Sequence, residues 1–153
     1  MKVSLLLIGK TEENFLQTGI KVYQNRLSRY MDFSIMELPE LKNTKNLSEK
    51  EIKRKEAEMI FKKVSDKDFV LLLDEKGKDY TSVEFAAFID KANRPITFIV
   101  GGAYGFDETV YKRANGLVSL SKMTFTHQMI RLLFIEQLYR AMTILNGEPY
   151  HHI

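Results

Sequence analysis

The sequence predicts an α/β fold, a mostly parallel sheet with helices on both faces. Three observations carry this reading. Short apolar runs alternate with amphipathic stretches along the whole chain. Phe69–Leu73 is continuous rather than alternating, as a strand buried on both faces is, and Leu5–Ile8 reads as a buried first strand. No repeat, low-complexity tract or linker interrupts the pattern, so residues 1–153 read as a single domain long enough for one proper core.

The elements follow in order. Lys2–Ile8 is the first strand and ends at Gly9. Thr11 is placed to cap a helix running to about Tyr30, with Leu16, Ile20, Tyr23, Leu27 and Tyr30 on its buried face. Phe33–Leu38 reads as the second strand, and Pro39–Leu47 as a polar loop. Ser48 with Glu51 forms a capping-box signature for a Lys/Glu-rich helix reaching about Val64. Phe69–Leu73 is the third strand, and Asp74–Lys78 a loop. Thr81 or Ser82 caps a short helix to about Ala92, and Pro95 precedes the fourth strand, Ile96–Val100. A loop, a short helix and the strand Leu117–Leu120 come next. The last helix, about Thr126 to Leu145, is apolar in almost every direction, so it is buried against more than one neighbour. In a chain this small a second copy is one such neighbour, which favours a homodimer.

Composition narrows the function. There are no cysteines, which excludes disulfides, thiolate metal sites and a cysteine nucleophile and fits the cytoplasm. Leu5-Leu6-Leu7-Ile8 is too short to span a membrane and lacks the form of a secretory signal. The net charge of +3 serves solubility in one reading and contact with a polyanion such as RNA in another.

Ligands of open α/β sheets bind beyond the carboxyl ends of the strands. Three loops occupy that position here. Gly101-Gly102-Ala103-Tyr104-Gly105 follows one strand, Leu120-Ser121-Lys122-Met123-Thr124-Phe125 another, and Leu73-Asp74-Glu75-Lys76-Gly77 a third. The glycine turn is neither a dinucleotide fingerprint nor a phosphate loop, and alone it reads as a structural turn. Together the loops can wall a pocket for a nucleoside-like ligand, with Leu73, Leu120 and Met123 against its faces. The histidines are His127, His151 and His152. No third ligand accompanies the terminal pair at metal-binding spacing, so no metal site is expected.

The chain also resembles a known family. Val100-Gly101-Gly102-x-x-Gly105, then Leu120 to Phe125 followed by x-His127-Gln128-Met129-x-Arg131, Ile135-Glu136-Gln137-x-Tyr139-Arg140-Ala141, and Pro149-Tyr150-His151 are similar to motifs of the RlmH-type methyltransferases of the SPOUT class. The resemblance covers essentially the full length. It implies methylation of a pseudouridine of bacterial 23S ribosomal RNA at N3, with S-adenosylmethionine as cofactor and the assembled ribosome or its large subunit as substrate. It implies a trefoil knot in the C-terminal part and a homodimer with the cofactor in the knot. The cofactor contacts it carries over are Leu73, Gly101, Leu120, Ser121, Lys122, Met123, Thr124 and Phe125. Tyr150 and His151 match a tail near the substrate. His151 is then a candidate to accept or relay the N3 proton, Tyr150 to stack on or orient the base, and Arg131 to bind an RNA phosphate. For Arg140, pairing with Glu136 is the preferred reading.

Two departures stand out. Thr126 occupies a position that is often proline in the family, and it can cap the helix instead. His152 stands where the tail usually carries Arg or Lys, and a neutral imidazole binds phosphate less well. The rival readings are a non-catalytic ribosome- or RNA-binding protein that retains the fold, and a nucleotide-binding enzyme of ordinary doubly wound type.

Overall fold

The computed structural model describes residues 1–152. Strands β1 (Lys2–Ile8), β2 (Asp32–Leu38), β3 (Phe69–Asp79), β4 (Ile96–Val100) and β5 (Gly116–Ser119) form one sheet in the order β2-β1-β4-β3-β5. Every pairing is parallel. Helices α1 (Asn14–Leu27), α2 (Glu49–Lys63), α3 (Ser82–Lys91), α4 (Glu108–Arg113) and α5 (Met129–Leu145) complete the fold.

The strands' two-residue period sorts the core into two layers. Leu5, Phe98 and Leu71 stand opposite one another in register on adjacent strands. They point to the face covered by Ile20 and Leu27 of α1, Phe85 and Ile89 of α3, and Phe134 and Leu138 of α5. Leu6, Ile99 and Leu72 point the other way, toward Ala57 and Ile60 of α2 and Val110 of α4. Strands covered on both sides need continuous apolar sequence, and that is why these runs do not alternate.

Several boundaries differ from the sequence reading. Thr11 does not cap α1, whose cap position is Glu13 without a side-chain bond. The capping boxes of Ser48 with Glu51 and of Thr81 with Glu84 are both formed. The segment Asp74–Lys78 is not a free loop. It continues β3 along β5 after a register break between Leu73 and Lys78. The last helix begins at Met129 rather than Thr126. Thr126 does act at its start, because its hydroxyl accepts the Met129 N–H at 3.1 Å and its carbonyl accepts that of Ile130 at 3.1 Å.

α5 is buried between α1 and α3, which explains its nearly all-round apolar sequence within one chain. Among the described residues, no helix is long and apolar enough to cross a membrane.

Candidate cofactor cavity and substrate tail

The ends of β3, β4 and β5 open into one cavity of about 480 Å³. Its walls include Leu73, Gly101, Leu120, Ser121, Met123, Thr124 and Phe125. Seven of the eight residues expected to hold a cofactor are thus brought together by loops far apart in sequence. Lys122 belongs to the same loop but is exposed and does not line the cavity. Thr126, His127 and Ile130, at the start of α5, close the remaining side.

Local chemistry shapes each wall. In the glycine turn, Gly105 has φ +86° and its N–H bonds to the Gly102 carbonyl at 3.2 Å, so the turn requires a left-handed residue. At Gly101, a Cβ would stand 3.2 Å from the Phe106 ring, which holds this backbone tight against the cavity floor. In the 120–125 loop, the Ser119 hydroxyl donates to the Ser121 carbonyl at 2.8 Å. The Ser121 hydroxyl in turn accepts the Met123 N–H at 3.0 Å. The loop is then tied to β3, because the Thr124 hydroxyl donates to Glu75 at 2.5 Å.

Three lining groups had no signal of their own in the sequence. Asp74 and Glu75 place carboxylates on the wall, and Tyr111 donates its hydroxyl to Asp74. Burial, and then that bond, push the Tyr111 phenol well above its usual range, so it remains a donor. Asp74 and Glu75 were visible only as part of a loop, and Tyr111 lies on the short helix α4, which no motif marked. Behind the turn lies Glu56, whose carboxylate would sit 2.6 Å from a Cβ at Gly102. Burial, with Glu40 adding to it, raises its pKa.

Arg131 does not face solvent. Its side chain is fully buried. The guanidinium donates to the carbonyls of Ile8 at 2.8 Å, Gly9 at 2.9 Å and His127 at 3.0 Å, and to the Thr11 hydroxyl at 3.1 Å. These bonds fasten the start of α5 to the carboxyl end of β1. A phosphate cannot reach a cation spent in this way, so the expected RNA contact gives way to a structural role.

The tail lies elsewhere. Tyr150 packs edge-on against Tyr139 at 4.8 Å between ring centroids, beneath the Arg140 guanidinium at 4.7 Å. Its hydroxyl stands 3.3 Å from that of Tyr23. Burial, then the Tyr23 contact, lift the Tyr150 phenol to about 12. Tyr30 donates to Glu148 at 2.7 Å and fixes the approach to the tail. Arg140 pairs with Glu136 through Nε at 2.8 Å and Nη2 at 2.6 Å, as the sequence suggested. Its Nη1 stands 3.1 Å from Nδ1 of His151.

A guanidinium only donates, so Nδ1 accepts and the neutral imidazole carries its hydrogen on Nε2. As held here, His151 offers a donor and not a proton acceptor. From Ile130 at the cavity to Arg140 at the tail, α5 runs about 15 Å, so the tail does not line the first cavity. Among the described residues, no group of three or more His, Asp or Glu side chains could hold a metal ion.

Comparison with known proteins agrees with this geometry. The family model described as "Predicted SPOUT methyltransferase" matches residues 1–151. The chain is 53% identical to "Ribosomal RNA large subunit methyltransferase H" of Parabacteroides distasonis, with 99% of each chain covered. It is 52% identical to the protein of the same name from Flavobacterium johnsoniae, again with 99% of each covered. In fold it is similar to the crystal structure of tRNA (m1G37) methyltransferase from Aquifex aeolicus, at TM-score 0.58 and 14% identity, covering 100% of this chain and 76% of that one. A probable methylase family protein from Haemophilus influenzae has the same TM-score at 11% identity, covering 99% of this chain and 70% of that one. With three strand-end loops meeting in one cavity and a full-length match of this kind, the chain belongs to the SPOUT methyltransferase family.

Proposed function

We propose that this chain methylates N3 of a pseudouridine in 23S ribosomal RNA, using S-adenosylmethionine, as a cytoplasmic homodimer acting on the assembled ribosome or its large subunit. The observation that carries the reading is the meeting of Leu73, Gly101 and the 120–125 loop in one cavity, in a chain half identical over its length to large-subunit rRNA methyltransferases.

The residues present fit the cofactor. A volume of about 480 Å³ lies within the usual range of ligand pockets. Leu73, Val100, Leu120, Phe125 and Ile130 provide apolar walls suited to a nucleoside. Asp74 and Glu75 provide negative charge suited to a sulfonium and an ammonium group. When bound, S-adenosylmethionine supplies an electrophilic methyl group.

The chain's own residues do the rest by positioning, which can supply several kcal/mol of a barrier. The Thr124–Glu75 bond holds the 120–125 loop against β3. As N3 of the base loses its proton to water, negative charge spreads onto the neighbouring carbonyl oxygens. Arg140 and the Nε2 hydrogen of His151 are the donors of the tail suited to receive that charge. Tyr150, held under Arg140, sets the geometry of this pair.

The homodimer is supported by an apolar face. α1 meets α5 so closely that a Cβ at Gly19 would stand 3.0 Å from Leu132. Along the same two helices Phe15 is 62% exposed, and Val22 and Met129 are exposed as well. The trefoil knot is supported by the family match and by β5 returning to the far side of β3 before the chain re-enters between α1 and α3.

Calorimetry tests the cofactor assignment. S-adenosylmethionine should bind and dinucleotides should not. Binding of a dinucleotide in preference would replace this reading with that of an ordinary doubly wound enzyme.

A further inference from the structure

A second cavity, of about 250 Å³, lies against the first. Ser119, Leu120 and Phe125 line both, so the two adjoin. Direct group transfer needs donor and acceptor atoms about 3–3.5 Å apart, which adjoining pockets allow and distant ones do not.

We propose that this second cavity receives the target base, and that Glu136 selects pseudouridine over uridine by accepting its N1–H. The proposal rests on the reading above that the chain methylates a pseudouridine.

The lining suits a pyrimidine. Tyr80, Leu120 and Phe125 give flat or apolar walls. Gln137 accepts the Ser82 hydroxyl hydrogen on Oε1 at 2.8 Å, which leaves its amide hydrogens for a base carbonyl. Glu136 receives both Arg140 nitrogens on Oε1. Its Oε2 makes no hydrogen bond among the described residues, and a carboxylate beside a fixed guanidinium is an acceptor only. Uridine is joined to its ribose through N1 and has no hydrogen there. Pseudouridine is joined through C5, so it carries N–H at both N1 and N3. A base with N3 turned to the first cavity can present its N1–H to Glu136, which lines the second. Arg140 then links this end of the cavity to His151, which places the tail beside the base rather than beside the cofactor.

The experiment pairs cofactor calorimetry with methyl transfer to two ribosomal particles. One carries pseudouridine at the target, and the other, from cells unable to form it, carries uridine. The unmodified chain should favour the first by about tenfold or more, because a site built for an N–H rejects the analogue lacking it. Ser82→Leu, which fills the cavity, should lower kcat/KM by roughly tenfold or more with cofactor affinity unchanged. Glu136→Gln should shrink the preference to about threefold or less.

Unchanged transfer in Ser82→Leu, or loss of its cofactor binding, would overturn the pocket assignment. Unchanged discrimination in Glu136→Gln, or no discrimination by the unmodified chain, would overturn the selector. An unmodified chain that methylates neither particle would instead defeat the underlying reading, and the pocket with it.

Discussion

Arg140 grips Glu136 with two nitrogens, at 2.8 and 2.6 Å, and turns its remaining terminal nitrogen to His151. One side chain therefore ties the wall of the second cavity to the substrate tail. Because both partners are reached from one planar fork, lysine cannot replace it. Arg140→Lys should lower turnover on the order of 10-fold or more while leaving cofactor affinity unchanged, as single-turnover kinetics with calorimetry would show. A change in affinity alone would place Arg140 at the cofactor instead.

His151→Ala should also reduce turnover and spare cofactor binding. Since Nε2 carries the hydrogen in the arrangement seen, a donor such as Asn should restore part of the rate. A general base would not be rescued in that way. Full activity in His151→Ala would remove the tail from the chemistry.

Arg131 makes four hydrogen bonds from a fully buried position. Arg131→Ala leaves those acceptors unpaired. It should cost about 3–5 kcal/mol in denaturant unfolding, the range for breaking a buried charged network. A stable variant with weakened RNA affinity would restore the phosphate contact that its burial argues against.

Gly101 lies under the Phe106 ring, so a bulky side chain must push that ring or the turn into the cavity. Gly101→Leu should weaken S-adenosylmethionine binding by about 10-fold or more in calorimetry, with the fold intact by circular dichroism.

Glu56 predicts a pH dependence. Burial, and then Glu40, raise its folded pKa above the ordinary 4.5. The folded chain therefore holds this proton more tightly than the unfolded one. The stability linked to it is complete below 4.5 and is lost as pH rises through the folded value. Glu56→Gln should raise Tm by a few degrees at pH 8 and have no effect at pH 4. Equal Tm shifts at both values would rule out linkage to this carboxyl.

Much of this was legible in the sequence because the physics is local. Continuous runs such as Phe69–Leu73 announce strands covered on both faces, and Ser48 with Glu51 announces a helix start wherever the helix packs. Leu73, Gly101 and the 120–125 loop were found because strand ends define where an open sheet binds. What escaped notice depends on contacts far apart in sequence. Nothing near Arg131 shows that β1 carbonyls will consume its donors, and nothing near Asp74 shows that Tyr111 will reach it. Thr11 carries a helix-cap signature, yet its hydroxyl accepts from Arg131, 120 residues away. Asp74–Lys78 is polar and glycine-bearing, so it reads as a loop. The pairing with β5 that extends β3 is set by the sheet and not by that segment.

Methyl transfer to ribosomal RNA leaves a mark that can be read in the cell. Mass spectrometry of 23S rRNA from cells lacking this chain, and from the same cells with it restored, tests it most directly. One N3-methylpseudouridine should be absent in the first sample and return in the second. An identical set of methylated nucleotides in both would rule this activity out.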